Sequence, residues 1–257
     1  MCYSDLAETI YIYGGLARME LNTISIRYEG DFDALAKRLR INEDCEDEFR
    51  EVYEDCLKIA RPKGVFTECS VSQEGRETIV GGRRFDSRVL SMNFKGLSRV
   101  FPYVISCGRE LYDFARATED PLCRYWIDGI SEAALRVVGA RLRKAVQETY
   151  GLGHINSVNP GSLRDFPLSC QRPLFDLLGD GPDEIGLELT PTFLMLPYKS
   201  GSGIYFESEA RYENCMLCPR IDCPGRRMPY DEEMLAVYGI ESPQERPQSV
   251  CGRAPYA

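Results

Sequence analysis

The chain has 257 residues, 44% of them apolar, and a formal net charge of −9. This bounds it to one large domain or two small ones, with enough apolar material for a real core. The acidic balance excludes a binder that tracks nucleic-acid phosphates along a basic stripe, and with no run of eighteen apolar residues no membrane span is expected.

The first residues, Met1-Cys2-Tyr3-Ser4-Asp5, lack the basic start and apolar stretch of a secretory signal, so a soluble cytoplasmic chain is expected. Asp5 to Arg18 has helical composition but is interrupted at Gly14-Gly15. Thr23 to Tyr28 alternates in the manner of a strand. Asp31 caps a helix that runs to about Leu39, and a second helix runs from Glu46 to about Ala60, ended by Pro62-Lys63-Gly64. Val65–Val71 and Glu77–Val80 read as strands that pair across Gln73-Glu74-Gly75. Gly81-Gly82-Arg83-Arg84 reads as a turn, and Val89–Phe94 and Val100–Ser106 as further strands. A helix follows over Glu110–Ala117.

The strongest pattern lies between Leu122 and Tyr150. Ile127, Ile130, Ala134, Val138, Leu142 and Ala145 recur at three- and four-residue steps, which predicts one helix of about 28 residues. Asp120-Pro121 starts it and Gly151-x-Gly153 stops it. Glu132 sits off the apolar stripe, and Gly139 permits close approach of a neighbour. Beyond it lie a turn at Asn159-Pro160-Gly161-Ser162, a short helix at Gln171–Leu178, strands at Leu187–Leu189, Thr192–Leu196 and Gly203–Phe206, and a helix at Tyr230–Val237.

Two stretches carry chemistry. Cys215-x2-Cys218-x4-Cys223 places three thiols within nine residues, a spacing that converges on one metal and suits zinc or an iron–sulfur cluster. Cys251 is the natural fourth ligand, with Cys170, Cys107 and His154 behind it. The chain has eleven cysteines, an odd and scattered set that does not suit a disulfide scaffold. His154 is the only histidine, so a mechanism that needs two is excluded. The second stretch is glycine-rich: the Asn159–Ser162 turn and the loop from Ser200 to Tyr205 expose backbone amides suited to a ligand with a carboxylate and hydroxyls. There is no nucleophile–base pair and no phosphate loop, so independent catalysis and ATP-driven action are not expected.

The segments Pro160-Gly161, Leu189 to Pro197 and Ser200-Gly201-Ser202-Gly203-Ile204-Tyr205-Phe206 resemble the activation domain of cobalamin-dependent methionine synthase. The helix carrying Glu132 and Arg141-Leu142-Arg143-Lys144 is similar in place and pattern. The resemblance is strongest over residues 98–212 and is closest to stand-alone, shortened versions of that domain. It implies an α+β fold with a bent antiparallel sheet and flanking helices, one of them long and central. It implies a groove for S-adenosylmethionine lined by Glu132, Pro160, Gly161, Ser162, Ser202, Gly203 and Tyr205. It also implies docking over a corrinoid (cobalamin) protein, with one electron from a donor protein followed by methylation of the reduced cobalt. Two positions depart from the family: its arginine before the turn aligns with Ser157 and its turn tyrosine with Ser162, so Arg164 or Arg172 would have to meet the ligand carboxylate. The expected organisation is an activation-domain-like unit over 1–212 and a cysteine-bearing extension over 213–257. The expected function is an accessory protein for reductive activation and remethylation of a corrinoid protein. The alternatives are an iron–sulfur electron-transfer protein and a structural zinc module on a degenerate domain.

Overall fold

The computed structural model describes residues 21–75, 77–223 and 225–240, together with the backbone of Tyr11 and Ile12. The chain opens with β1 (Tyr11–Ile12) and β2 (Leu21–Ser25), then two helices, α1 (Phe32–Leu39) and α2 (Glu46–Ile59). Strands β3 (Lys63–Thr67), β4 (Cys69–Glu74), β5 (Glu77–Val80) and β6 (Arg83–Phe85) follow, then α3 (Arg88–Asn93), β7 (Arg99–Ser106) and α4 (Arg109–Ala117). Next come α5 (Pro121–Tyr150), β8 (Ile155–Val158), α6 (Gln171–Leu178), α7 (Gly181–Glu184), β9 (Glu188–Leu189), β10 (Met195–Leu196), β11 (Ser200–Glu207), α8 (Asn214–Leu217) and α9 (Glu232–Tyr238).

Strand β7 is the axis of a bent antiparallel sheet. One edge of β7 pairs with β3 and then β4, and the other with β11, which in turn pairs with β8. Alternation along the strands splits the core in two. Val100 and Val104 of β7, with Ile204 and Phe206 of β11, face a layer that includes Val89 and Leu90 of α3, Leu174 and Leu178 of α6 and Leu235 of α9. Phe101, Tyr103 and Tyr205 point the other way, onto Leu142 and Val146 of α5. A third cluster packs α1, α2 and α4 around the first half of α5, with Trp126, Ile127 and Phe49 fully enclosed. Leu217, Leu235 and Tyr238 belong to the same apolar cluster as the sheet.

The long helix is ended by its own residues. Asp120 accepts hydrogen bonds from the N–H groups of Leu122 and Cys123, both at 2.8 Å, and Pro121 opens the first turn. Gly151 closes it at φ +62°, the left-handed conformation that glycine adopts without a Cβ penalty. In α1, Asp31 caps the N–H of Ala34 at 2.9 Å, as expected from the sequence.

Several local readings differ: Arg83 and Arg84, read as part of a turn, open strand β6, and the strand read over Val65–Val71 is split into β3 and β4. Val89–Phe94 lies in and just after helix α3, not in a strand. Its cap comes from far along the chain: the Asp165 carboxylate accepts from Ser87 Oγ (2.7 Å), Arg88 N (3.2 Å) and Val89 N (2.8 Å), 76 to 78 residues away. Asp165→Ala is expected to cost about 2 kcal/mol, since it removes a cap and orphans N–H donors at the helix start. Urea unfolding checks this, and a loss below about 0.5 kcal/mol would contradict it. Ile155–Val158, for which the sequence suggests no element, forms the strand β8, and the strand expected over Thr23–Tyr28 ends at Ser25. The helical reading of Asp5–Arg18 lies outside the described residues, apart from the two residues of β1.

Candidate functional site

On the α5 side of the sheet, β11 presents Gly201, Gly203 and Tyr205. Opposite them, α5 carries Glu132, Arg136, Gly139 and Arg143, spaced four, three and four residues apart and so stacked on one face. The glycines let the two elements come close. Ile105 of β7 is flanked across the sheet by Gly64 on β3 and Gly201 on β11, and Gly139 covers it. A Cβ at Gly64 or Gly139 would stand 3.1 Å from the Ile105 side chain, and one at Gly201 would stand 3.3 Å from it. The result is a narrow strip with a backbone floor on one side and charged helix residues on the other.

Glu132 closes one end. Its carboxylate accepts from Arg136 at 2.7 Å and lies 3.8 Å from Arg38 and 4.0 Å from Lys199. The Arg136 hydrogen bond, with Arg38 and Lys199 nearby, holds its carboxyl below the usual range. It is an ionised acceptor at neutral pH. Lys199, just before β11, is also paired with Asp128 at 2.9 Å.

Tyr205 and Tyr103 stack at 3.9 Å with rings 8° from parallel. The Arg143 guanidinium lies 5.2 Å from the Tyr205 ring centre and donates to the Ile155 carbonyl at 2.7 Å. Burial drives the Tyr205 hydroxyl pKa well above its ordinary value, so it stays protonated. The Tyr103 hydroxyl meets Ser157 Oγ at 2.8 Å and accepts from Asn159 Nδ2 at 2.9 Å. That same amide donates to the Ser202 carbonyl at 2.7 Å, and Asn214 donates to the Asn159 carbonyl at 3.0 Å. This network fixes the turn after β8 against β11.

The structure divides the residues named from the sequence between the strip, the turn after β8 and the opposite face of the sheet. Gly203 and Tyr205 lie on the strip face of β11, and Glu132 stands across from the start of that strand. Pro160 is buried, while Gly161 and Ser162 are exposed. Gly161 adopts φ +84°, and its N–H donates to the Phe166 carbonyl at 2.8 Å. Ser202 faces the opposite layer, where its hydroxyl accepts from Gln171 at 3.2 Å. Ser157 is buried against Tyr103, and Arg164 and Arg172 are both exposed. The cation that reaches the strip is instead Arg143. Continuing the steps from Glu132 along α5 finds it in the sequence.

The cysteine loop is organised by an arginine. The Arg226 guanidinium donates to five carbonyls: Ile221 (3.2 Å), Cys215 (2.6 Å), Met228 (3.0 Å), Cys218 (2.8 Å) and Arg220 (2.7 Å). The Arg227 N–H meets Cys215 Sγ at 3.5 Å. Cys215, Cys218 and Cys223 are half-buried free thiols. Among the described residues no three histidine, cysteine or acidic side chains are arranged to hold a metal ion. Cys251, named as the fourth ligand, lies outside the described residues. His154 Nε2 lies 3.2 Å from Asn156 Oδ1; Cys107 packs in the cluster around the first half of α5, and Cys170 borders the sheet cluster that Cys218 also borders.

No family model and no curated protein matches this sequence. Among solved structures, the chain is similar to the crystal structure of the MetH reactivation domain bound to AdoHcy, with a TM-score of 0.55 over 83% of this chain and 85% of that one. The two chains share a fold. They do so at 13% sequence identity, so the reactivation-domain architecture persists here on a largely different set of side chains. The bent sheet and the long helix beside it, expected from short motifs, are both present in this chain. Among the described residues no helix is long and apolar enough to cross a membrane.

Proposed function

We propose that this chain binds an S-adenosyl ligand in the strip between β11 and α5 and supports the reductive reactivation of a corrinoid protein. The fold shared with an AdoHcy-bound reactivation domain, over most of both chains, is the observation that carries this reading. The strip has the chemistry that such a ligand asks for. Glu132, kept ionised, is an acceptor for ribose hydroxyls. The donors of Arg143 and Arg136 are the cations for the ligand carboxylate, replacing the arginine that Ser157 does not supply. Gly201 lets the ligand approach the backbone of β11 closely.

When bound, S-adenosylmethionine supplies an activated methyl group. The protein's own part is to hold that group in place and to present it to the partner's cofactor. In this reading the corrinoid belongs to a partner protein and the electron to a donor protein. The acidic chain, with its net charge of −9, is expected to meet these partners through protein surfaces rather than nucleic acid.

Calorimetric titration with S-adenosylhomocysteine tests the binding half. One saturable site is expected, weakened at least tenfold by Glu132→Gln and by Arg143→Met, about 1.4 kcal/mol each. Absence of binding, or equal affinity in both variants, refutes the assignment of the strip. For the partner half, the protein is added to a cob(II)alamin-loaded corrinoid protein with a reductant and S-adenosylmethionine. Faster appearance of the methylcobalamin spectrum is expected, and an unchanged rate sinks the reactivation role.

A further inference from the structure

A cavity of about 600 Å³ lies between α4, the first turns of α5 and the segment Tyr198-Lys199. It shares only Lys199 and Asp128 with the surroundings of the strip, and it lies on the far side of that ion pair. Its volume is in the range of small-molecule sites.

Its lining is uncommon for this chain. Three tyrosines wall it: Tyr112, Tyr125 and Tyr198. Tyr112 is buried and holds Tyr198 edge-on, with centroids 5.4 Å apart and planes at 81°. Tyr198 and Tyr125 are 60% and 54% exposed, which leaves a large area of ring facing water. Two arginines stand at the rim in a protein of net charge −9. Arg116 donates to the Tyr112 hydroxyl at 3.2 Å, and Arg124 donates to the Thr118 carbonyl at 2.7 Å. Among the described residues neither guanidinium is in an ion pair. Lys199 is neutralised by Asp128, so the arginines set the sign of the cavity.

The floor adds polar capacity without reactivity. Ser131 Oγ spends its proton on the Ile127 carbonyl at 2.8 Å, which leaves its lone pairs to accept. Burial pushes the Cys107 thiol up to about 12. It stays protonated and is no nucleophile.

We infer that this cavity binds a nucleotide: an aromatic base against the tyrosine walls, with its phosphate on Arg116 and Arg124. Tyrosine faces stack any base, and guanidinium groups match phosphate oxygens in a fork. Asp128 and Ser131 offer acceptors for an exocyclic amino group. This inference does not depend on the ligand assigned to the strip.

Adenosine 5′-monophosphate is the probe, titrated against the full chain by calorimetry, with adenosine and inorganic phosphate in separate arms. Saturable binding of one equivalent is expected for the monophosphate, with the two fragments at least tenfold weaker. Arg116→Gln and Tyr198→Ala, both at exposed positions that leave the core intact, are each expected to weaken it at least tenfold. Arg143→Met, in the strip, is expected to change nothing. The inference is overturned by absence of saturable binding, or by equal affinity in the Arg116 and Tyr198 variants. Loss of binding in Arg143→Met, with competition by S-adenosylhomocysteine, also overturns it, because the nucleotide is then in the strip.

Discussion

Gly203→Ala is expected to lower the unfolding free energy by roughly 3 kcal/mol, at the upper end of overpacking penalties. The reason lies in what a methyl group would meet. A Cβ at residue 203 stands 2.5 Å from Asn159 Nδ2, 2.7 Å from the Val158 carbonyl oxygen and 2.9 Å from Tyr103 Cε1. The asparagine amide can swing away, at the cost of its bonds to Tyr103 and Ser202. The carbonyl cannot, because Val158 is in ladder register with Ile204. Tyr103 is wedged by its stack on Tyr205, and a close-packed interior gives it nowhere to go. Gly201→Ala is the internal control. Its Cβ meets only the Ile105 side chain, at 3.3 and 3.4 Å, and a cost below about 1 kcal/mol is expected from so small a displacement. Urea unfolding of the two variants separates them. Equal stabilities would show that the turn after β8 is not pinned against β11. Gly203→Ala with Asn159→Gly probes the same point: full rescue would place the clash in the side chain alone, whereas the carbonyl contact predicts partial rescue at best.

The contrast between these two glycines marks how far the sequence could be read. Both stand in one glycine-rich run, and composition treats them alike. Only the register of β11 against β8 and β7 tells which one faces a carbonyl. Elements set by their own residues were legible. The apolar steps from Ile127 to Ala145, an aspartate cap and a terminal glycine specify α5 within a residue of where it lies. The same holds for α1 and α2. Elements set by distant partners were not. The α3 segment has strand-like composition, and a carboxylate 76 to 78 residues away makes it a helix. β8 is polar in sequence yet buried throughout, because Ser157 and Asn156 find hydrogen-bond partners on other elements. The site divides along the same line. Glu132, Gly203 and Tyr205 were named from motif order, and the fold sets Gly203 and Tyr205 on the α5 side of β11. Ser157, read as the place of a missing cation, turns out to be a buried partner of Tyr103, and the guanidinium beside Tyr205 is that of Arg143, on the same helix face as Glu132. The cavity walled by Tyr112, Tyr125 and Tyr198 has no sequence signature, since its three tyrosines come from three separate elements.

Arg226→Lys is the second large effect. It is expected to cost about 3 kcal/mol and to open the segment from Glu213 to Tyr238 while the sheet stays closed. A lysine ammonium has three donors on a flexible stem, whereas the guanidinium presents five in a fixed plane. All five are used here, on carbonyls at 2.6 to 3.2 Å. Hydrogen bonds from a charged group are worth roughly 1.5–3 kcal/mol each; partial exposure and the lysine's own donors bring the sum down to the quoted figure. Tyr238 donates to Asn93 at 2.7 Å and Arg88 donates to the Gly239 carbonyl, so opening the cysteine loop also loosens α9 from α3. Hydrogen exchange is the direct reading: amides of α8 and α9 should lose protection while those of β7 and α5 keep theirs. Arg227→Lys is the control, because its ion pair with Glu213 is largely exposed on the arginine side and is worth under about 1 kcal/mol. Dialysis of the unmodified protein against a chelator completes the comparison. With Arg226 as the organiser, protection of the loop should survive it. If the chelator opens the loop and Arg226→Lys does not, then a metal held by Cys215, Cys218 and Cys223 orders this segment, and the zinc and iron–sulfur readings of the thiol spacing return in place of the guanidinium.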